Sequence, residues 1–109
     1  MKKFLILPIL LFSSMTLFSQ VEVKYFNAGW NAANEIEWVE KLTDCELEKF
    51  DIGTTPKSAQ DYKVVVVPTI IILQDGEEVE RYQADISFKM AATREEVQDY
   101  IDEIIMSAF

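Results

Sequence analysis

The chain has 109 residues, enough for one small domain, and its 19 acidic and 10 basic residues give a net charge of −9. An acidic surface of this kind repels nucleic acid and anionic lipid head groups, so neither is an expected partner. The sequence contains no histidine, which excludes histidine-based catalytic triads and most zinc sites.

The first twenty residues differ in composition from the rest of the chain. Lys2 and Lys3 precede the short apolar run FLILPILLF, and a small polar segment without acids follows. This layout is typical of a bacterial secretory signal peptide, so we predict a signal peptide over 1–20 and a mature domain over 21–109. The protein is then exported to the periplasm or the cell exterior and has no membrane attachment after cleavage. A retained N-terminal anchor is the alternative.

Seven secondary-structure elements are predicted along the mature chain, in the order β-α-β-α-β-β-α. Alternating β-branched and aromatic residues predict strands, and apolar residues at three-to-four spacing predict helices. The expected elements are strand 21–28, helix 31–42, strand 46–52, helix 56–62, strand 69–73, strand 78–83 and a last helix that begins at the capping box 93–96. Asp75-Gly76 predicts the hairpin turn between the last two strands. This order forms an α/β sandwich with two parallel crossovers.

Three segments, together with the element order, resemble the thioredoxin-like fold. FNAGW (26–30) resembles the family's Phe-x-Ala-x-Trp that leads into the active site. VVPT (66–69) resembles its cis-proline motif, and DGEEVERY (75–82) resembles the hairpin that follows. The resemblance implies a three-layer α/β sandwich around a mixed four-stranded sheet, with a cis peptide bond between Val67 and Pro68.

The resemblance places the family's Cys-x-x-Cys pair on Asn31-Ala32-Ala33-Asn34. Dithiol exchange needs one thiol activated as a thiolate and a second thiol that resolves the mixed disulfide, and an amide can do neither. The buried acid that many thioredoxins use beside the pair falls on Tyr25. We therefore expect no catalytic residue and no cofactor. Asn31 is expected to cap a helix N-terminus, and Asn34 to bond locally or face solvent.

Without the thiols, the resemblance still implies a binding surface. In the family, an extended peptide pairs as an added strand with the backbone of the residue before the cis-proline, here Val67. We predict a remnant active-site groove that holds an extended peptide or a partner protein, lined by Trp30, Asn31, Asn34, Val67 and Pro68. The alternative is an inert remnant, in which Trp30 packs into its turn and Asn31 only caps the helix.

Large apolar residues also precede the last helix, where DISFKMAA (85–92) carries Ile86, Phe88 and Met90. This segment is expected either to cover the end of the sheet or to form an apolar patch beside the groove. Trp38, on the predicted helix 31–42, is expected to pack between helix and sheet.

Cys45 is the single cysteine and cannot form an internal disulfide. Its acidic neighbours raise a thiol pKa, so we expect a small, partly buried packing residue. A redox enzyme that uses Cys45 as a lone thiol is the least favoured function. An acidic structural or calcium-binding module is a further alternative, although the acids lack the spacing of an EF-hand.

Overall fold

The computed structural model describes residues 20–108, so the predicted signal peptide, apart from Gln20, lies outside the described residues. The strands are β1 (Val21–Asn27), β2 (Glu46–Asp51), β3 (Thr69–Gln74) and β4 (Glu77–Gln83). The α-helices are α1 (Pro56–Asp61) and α2 (Arg94–Met106), and two 3₁₀ helices span Gly29–Asn34 and Glu37–Lys41. None of the helices in this part of the chain is long and apolar enough to cross a membrane.

The four strands form one mixed sheet in the order β2-β1-β3-β4. Strand β1 pairs in parallel with β2 and antiparallel with β3, and β4 pairs antiparallel with β3. The β3–β4 turn needs positive φ angles, which Asp75 (φ 53°) and Gly76 (φ 88°) supply. The predicted mixed four-stranded sheet and its hairpin are confirmed. The prediction of two parallel crossovers is wrong, because only β1 and β2 are parallel and β3 runs antiparallel to both.

Strand β3 is buried on both faces, whereas β1 is buried on one face and carries the partly exposed Glu22 and Lys24 on the other. The alternating side chains of these two central strands build two cores. One core joins the sheet to the second 3₁₀ helix and to α2, and its buried members are Val21, Val23, Tyr25, Ile36, Val39, Ile70, Ile72, Val97 and Ile101. The other core lies on the opposite face and contains Phe26, Ala28, Val67, Ile71 and Leu73. The layers on both faces make the three-layer sandwich that the resemblance implied.

The predicted α-helix over 31–42 is wrong in kind. The segment forms two 3₁₀ helices, and Glu35 and Ile36 between them are extended. The Ile36 N–H donates to the Tyr25 hydroxyl at 2.9 Å, so a tertiary hydrogen bond replaces the bond that would continue the helix. The apolar spacing was still informative, because Ile36 and Val39 are both buried.

Of the two side-chain caps predicted at helix N-termini, one forms and the other does not. At α2 the capping box is confirmed: the Glu96 N–H donates to Thr93 Oγ1 at 3.2 Å, and the Thr93 N–H donates to Glu96 Oε1 at 3.1 Å. Thr55 precedes α1 as predicted, but its hydroxyl donates to the Asp51 carbonyl at 2.8 Å instead of capping the helix. The Val67–Pro68 bond is cis, as the resemblance implied.

Candidate functional site

The five residues of the predicted groove lie at one end of the sheet. Trp30, Asn31 and Asn34 belong to the first 3₁₀ helix, directly after β1, and Val67 and Pro68 directly precede β3. A contact of 3.5 Å between Asn31 Nδ2 and the Val67 carbonyl oxygen joins the two segments. Asn31 is only 4% exposed, and Val67 and Pro68 are also buried, whereas Trp30 is 66% exposed. Trp30 is therefore the residue of the five that presents a wide surface to solvent.

A chain of side-chain amides lies where the resemblance places the family's thiols. Asn31 Nδ2 donates to Asn27 Oδ1 at 3.0 Å, and Asn34 Nδ2 donates to Asn31 Oδ1 at 2.9 Å. Asn27 Nδ2 in turn donates to Glu35 Oε1 at 2.7 Å. Asn31 Nδ2 also contacts the Val67 carbonyl oxygen. Both the amide nitrogen and the amide oxygen of Asn31 therefore bond to groups inside the protein.

The predicted capping role of Asn31 is wrong. The N-cap position of the first 3₁₀ helix is Ala28, and no side chain caps this helix. Asn31 lies inside the helix at a break in its dihedral angles (φ −111°, ψ 26°), and its side chain turns inward to Asn27. The buried amide of Asn27, four residues earlier on β1, competes for the Asn31 side chain and removes it from the surface.

Sequence reasoning missed Asn27 and Glu35 as parts of this network. Asn27 is a buried polar residue at the end of a strand whose preceding residues are mainly β-branched and aromatic. Buried polar groups require hydrogen-bond partners, so a polar residue at this position was a usable signal for a network. Nothing in the spacing identified Glu35 as the partner, because the chain reaches it only through the break between the two 3₁₀ helices.

Tyr25, on which the resemblance places the family's buried acid, lies fully in the core. Its hydroxyl accepts the Ile36 N–H at 2.9 Å. Burial, with the nearby Glu35 carboxylate, raises the pKa of the phenol well above its usual value. Tyr25 therefore stays neutral at physiological pH, and its hydroxyl is bonded to the backbone N–H of Ile36.

An exposed aromatic pair marks the rim of the site. Trp30 meets Phe88 edge-to-face, with ring centroids 5.4 Å apart and an interplanar angle of 80°. Phe88 is 37% exposed, and Ile86, two residues earlier, is 98% exposed. The predicted apolar segment 85–92 thus places an aromatic ring beside Trp30.

The turn that carries Phe88 is closed by a single carboxylate. Asp85 Oδ1 accepts the Ser87 N–H at 2.8 Å, the Ser87 hydroxyl at 2.6 Å and the Lys89 N–H at 3.2 Å. These bonds hold the pKa of Asp85 below its usual value, chiefly through the Ser87 hydroxyl. Phe88 has a φ of 67°, a left-handed conformation that costs a residue with a side chain about 1–2 kcal/mol. The turn orders Phe88 against Trp30 at this cost.

Cys45 lies at the opposite end of the sheet from this site. It directly precedes β2, whose first residue, Glu46, pairs with Glu22 near the start of β1. The length of β1 separates the two ends by roughly 20 Å. The thiol is half-buried, and burial together with the Asp44 carboxylate raises its pKa. A thiol with a raised pKa carries little thiolate at neutral pH.

The described part of the chain contains no group of three or more cysteine, aspartate or glutamate side chains placed to hold a metal ion. The acidic side chains are spread over the strands, the helices and the loops, and several of them pair with lysine or arginine.

Comparison with known proteins agrees with the fold. No protein-family model matches the chain. Thioredoxin from Mycobacterium tuberculosis is 40% identical over 42 residues, which cover 38% of this chain and 36% of the relative. Thioredoxin from Chlamydia trachomatis is 48% identical over 41 residues, 38% of this chain and 40% of the relative. The matched segments thus span little more than a third of the length of these relatives.

Solved structures extend the similarity over most of the chain. A mutant thioredoxin from Halobacterium salinarum is 25% identical, with a TM-score of 0.63 over 79% of this chain and 75% of that one. Thioredoxin 1 from Thermosipho africanus is 22% identical, with a TM-score of 0.60 over 80% of this chain and 97% of that one. The fold is that of thioredoxin, an α/β sandwich with a cis-proline beside the end of the first central strand. The chain is a member of the thioredoxin-like superfamily.

Proposed function

We propose that this protein is an exported thioredoxin-like binding module that holds an extended polypeptide or a partner protein without dithiol exchange. The observation that carries the proposal is the exposed Trp30 ring, set edge-on to Phe88 at the position where the family keeps its active site. Export rests on the composition of residues 1–20, with their basic start, short apolar run and absence of acids.

The chemistry of the site argues against dithiol exchange. The resemblance places the family's cysteines on Asn31 and Asn34, whose side chains are bonded to each other. Because both side chains are amides, neither offers a sulfur or an ionisable group. Cys45 lies roughly 20 Å away and keeps a raised pKa. A binding role needs none of these groups.

The surface that supports binding is aromatic and ordered. Trp and Phe side chains contribute large contact areas at low entropy cost, and ring edges and faces favour apolar side chains of a partner. Asp85 orders Phe88 before a partner arrives, which lowers the entropic cost of association. Val67 and Pro68 are buried, so contact with a partner begins at the exposed rings of Trp30 and Phe88.

The test is binding of labelled extended peptides that carry a central leucine, phenylalanine or aspartate, followed by fluorescence anisotropy. We expect the apolar peptides to bind and Trp30→Ala to weaken them about tenfold or more, as for a central aromatic contact. Met106→Ala is the matched control, because Met106 is exposed at the far end of α2.

Reductive assays complete the test. With dithiothreitol as the electron source, we expect insulin to be reduced no faster with the protein than without it, and Cys45→Ser to leave peptide binding unchanged. Equal binding by wild type and Trp30→Ala, or no binding of any peptide, would refute the proposed site.

A further inference from the structure

A second surface depression lies between the second 3₁₀ helix and the segment that precedes α2. Its volume is about 550 Å³, within the range of small-molecule sites. Ile36, Trp38 and Met90 contribute apolar lining, and Lys41 and Lys89 contribute cations. The depression therefore combines an apolar wall with charged groups, as ligand sites commonly do.

The two lysines stand out because most cations of this acidic protein are already paired. Five of the eight lysines and arginines in residues 20–108 lie within 4.0 Å of a carboxylate, namely Lys24, Lys49, Lys57, Arg81 and Arg94. The other three, Lys41, Lys63 and Lys89, have no carboxylate within that distance among the described residues. Two of these three line the same depression.

Two carboxylates also line the depression, and they differ in their engagement. Glu35 is held by Asn27 at 2.7 Å and lies 3.8 Å from the Lys49 ammonium, which is itself paired with Glu40 at 2.6 Å. Glu37 has no cation within 4.0 Å among residues 20–108. The lining groups without an ion pair within 4.0 Å are thus two ammonium groups and one carboxylate.

We propose that this depression binds a ligand with a carboxylate and an apolar body. The carboxylate lies between Lys41 and Lys89, and the apolar body packs on Trp38 and Met90. Asp85 interacts with Lys89, but its carboxylate is already engaged by the Ser87 and Lys89 N–H groups. Acids more than about 8 Å away are largely screened at physiological ionic strength. The site does not use Trp30, so it is a second site beyond the peptide surface of the proposed function. The carboxylate has two possible sources, a free organic acid or an acidic group of a polypeptide that crosses Trp30.

The probe is indole-3-acetate, with indole-3-acetamide as the neutral analogue, titrated into ¹⁵N-labelled protein purified from expression of the full chain. We expect the acetate to shift the Trp38 indole N–H signal and the acetamide to bind about tenfold more weakly, since the neutral amide forms no ion pair with the lysines. The double variant Lys41→Gln, Lys89→Gln should lose the same factor. The double variant Lys41→Arg, Lys89→Arg should retain binding.

Lys63→Gln is the matched control, because it removes an unpaired cation from another part of the surface. The amide spectrum of each variant shows whether it remains folded. A second arm compares apolar peptides that end in a carboxylate or a carboxamide, on wild type and on Trp30→Ala. Preference for the carboxylate peptide that requires Trp30 identifies a polypeptide as the source, and acetate binding that survives Trp30→Ala identifies a free acid.

The proposal is overturned if indole-3-acetate and indole-3-acetamide bind equally, or if Lys63→Gln weakens binding as much as the double variant Lys41→Gln, Lys89→Gln. It is also overturned if neither indole-3-acetate nor the carboxylate peptide binds at millimolar concentration. These outcomes leave the proposed peptide surface intact, because that surface is tested with the leucine and phenylalanine peptides and Trp30→Ala. If those peptides fail to bind while indole-3-acetate still binds, the peptide surface alone is refuted.

Discussion

Replacing Asn31 by aspartate distinguishes a buried network from a helix cap. Aspartate and asparagine are almost equally good N-cap residues, so a capping Asn31 would tolerate the change. In the structure, however, the Asn31 Nδ2 group donates to Asn27 Oδ1 and faces the Val67 carbonyl. A carboxylate at this position places a negatively charged oxygen against two acceptor oxygens and supplies no donor.

The expected cost follows from the bonds that are lost. Asn31→Ala removes the donor to Asn27 and the acceptor for Asn34, and leaving buried groups unsatisfied costs about 1–3 kcal/mol. Asn31→Asp keeps the acceptor for Asn34 but adds an ionised group to a site that is 4% exposed. We expect Asn31→Asp to be at least as destabilising as Asn31→Ala at neutral pH. The total loss in the free energy of unfolding, relative to wild type, should be about 3 kcal/mol. For a domain of this size each kcal/mol lowers Tm by about 4–8 °C.

The measurement is urea unfolding of wild type, Asn31→Ala and Asn31→Asp at pH 7 and at pH 4.5. The introduced carboxyl should have a pKa raised by burial and by the facing oxygens, so its destabilisation should be present above that pKa and diminish as the pH falls. Asn34→Ala is the control, since Asn34 is half-buried and makes a single bond in the network. If the free energy of unfolding of Asn31→Asp lies within about 0.5 kcal/mol of wild type at pH 7, the network is refuted and the result favours a capping role for Asn31.

Two further predictions concern groups whose pKa the structure raises. Burial keeps Tyr25 neutral in the folded state and raises the pKa of Tyr82 to about 12. The unfolded phenols ionise near pH 10, so stability should fall as the pH rises above about 10, and Tyr82→Phe should reduce that fall in alkaline urea titrations. An unchanged alkaline profile in Tyr82→Phe would count against the prediction. Cys45 should react with maleimide several-fold more slowly in the native protein than in denaturant, because burial and Asp44 raise its pKa. Equal rates in the two states would contradict the half-buried position.

The fold was largely readable from local patterns. Alternation in β1, the continuous apolar run of β3, the Asp75-Gly76 turn and the capping box at Thr93 each depend on residues close in sequence, and the structure has all four. The thioredoxin-like arrangement was predicted from their order together with the resemblance of segments 26–30, 66–69 and 75–82 to the family's motifs. Local patterns are reliable here because strand, turn and cap preferences act within a few residues.

The site was less predictable, because its geometry depends on contacts between segments. Asn31 has the side chain of a good N-cap, and its direction is decided by Asn27 on β1 and by Val67 before β3. The helix expected over 31–42 breaks where Tyr25 takes the Ile36 N–H. In each case a partner distant in sequence outweighed the local preference, since a satisfied buried hydrogen bond outweighs a difference in helix propensity.

The sequence by itself determined the fold class and the residue types available at the site. The resemblance places the family's thiols on two asparagines and its buried acid on a tyrosine, and the whole chain has a single cysteine. The tertiary structure decided which groups face outward. It buries Asn31 in a chain of amides, exposes Trp30 against Phe88, and gathers Lys41 and Lys89 around one depression. Residue type sets the reactions that are possible, but exposure and proximity arise only when distant segments pack together.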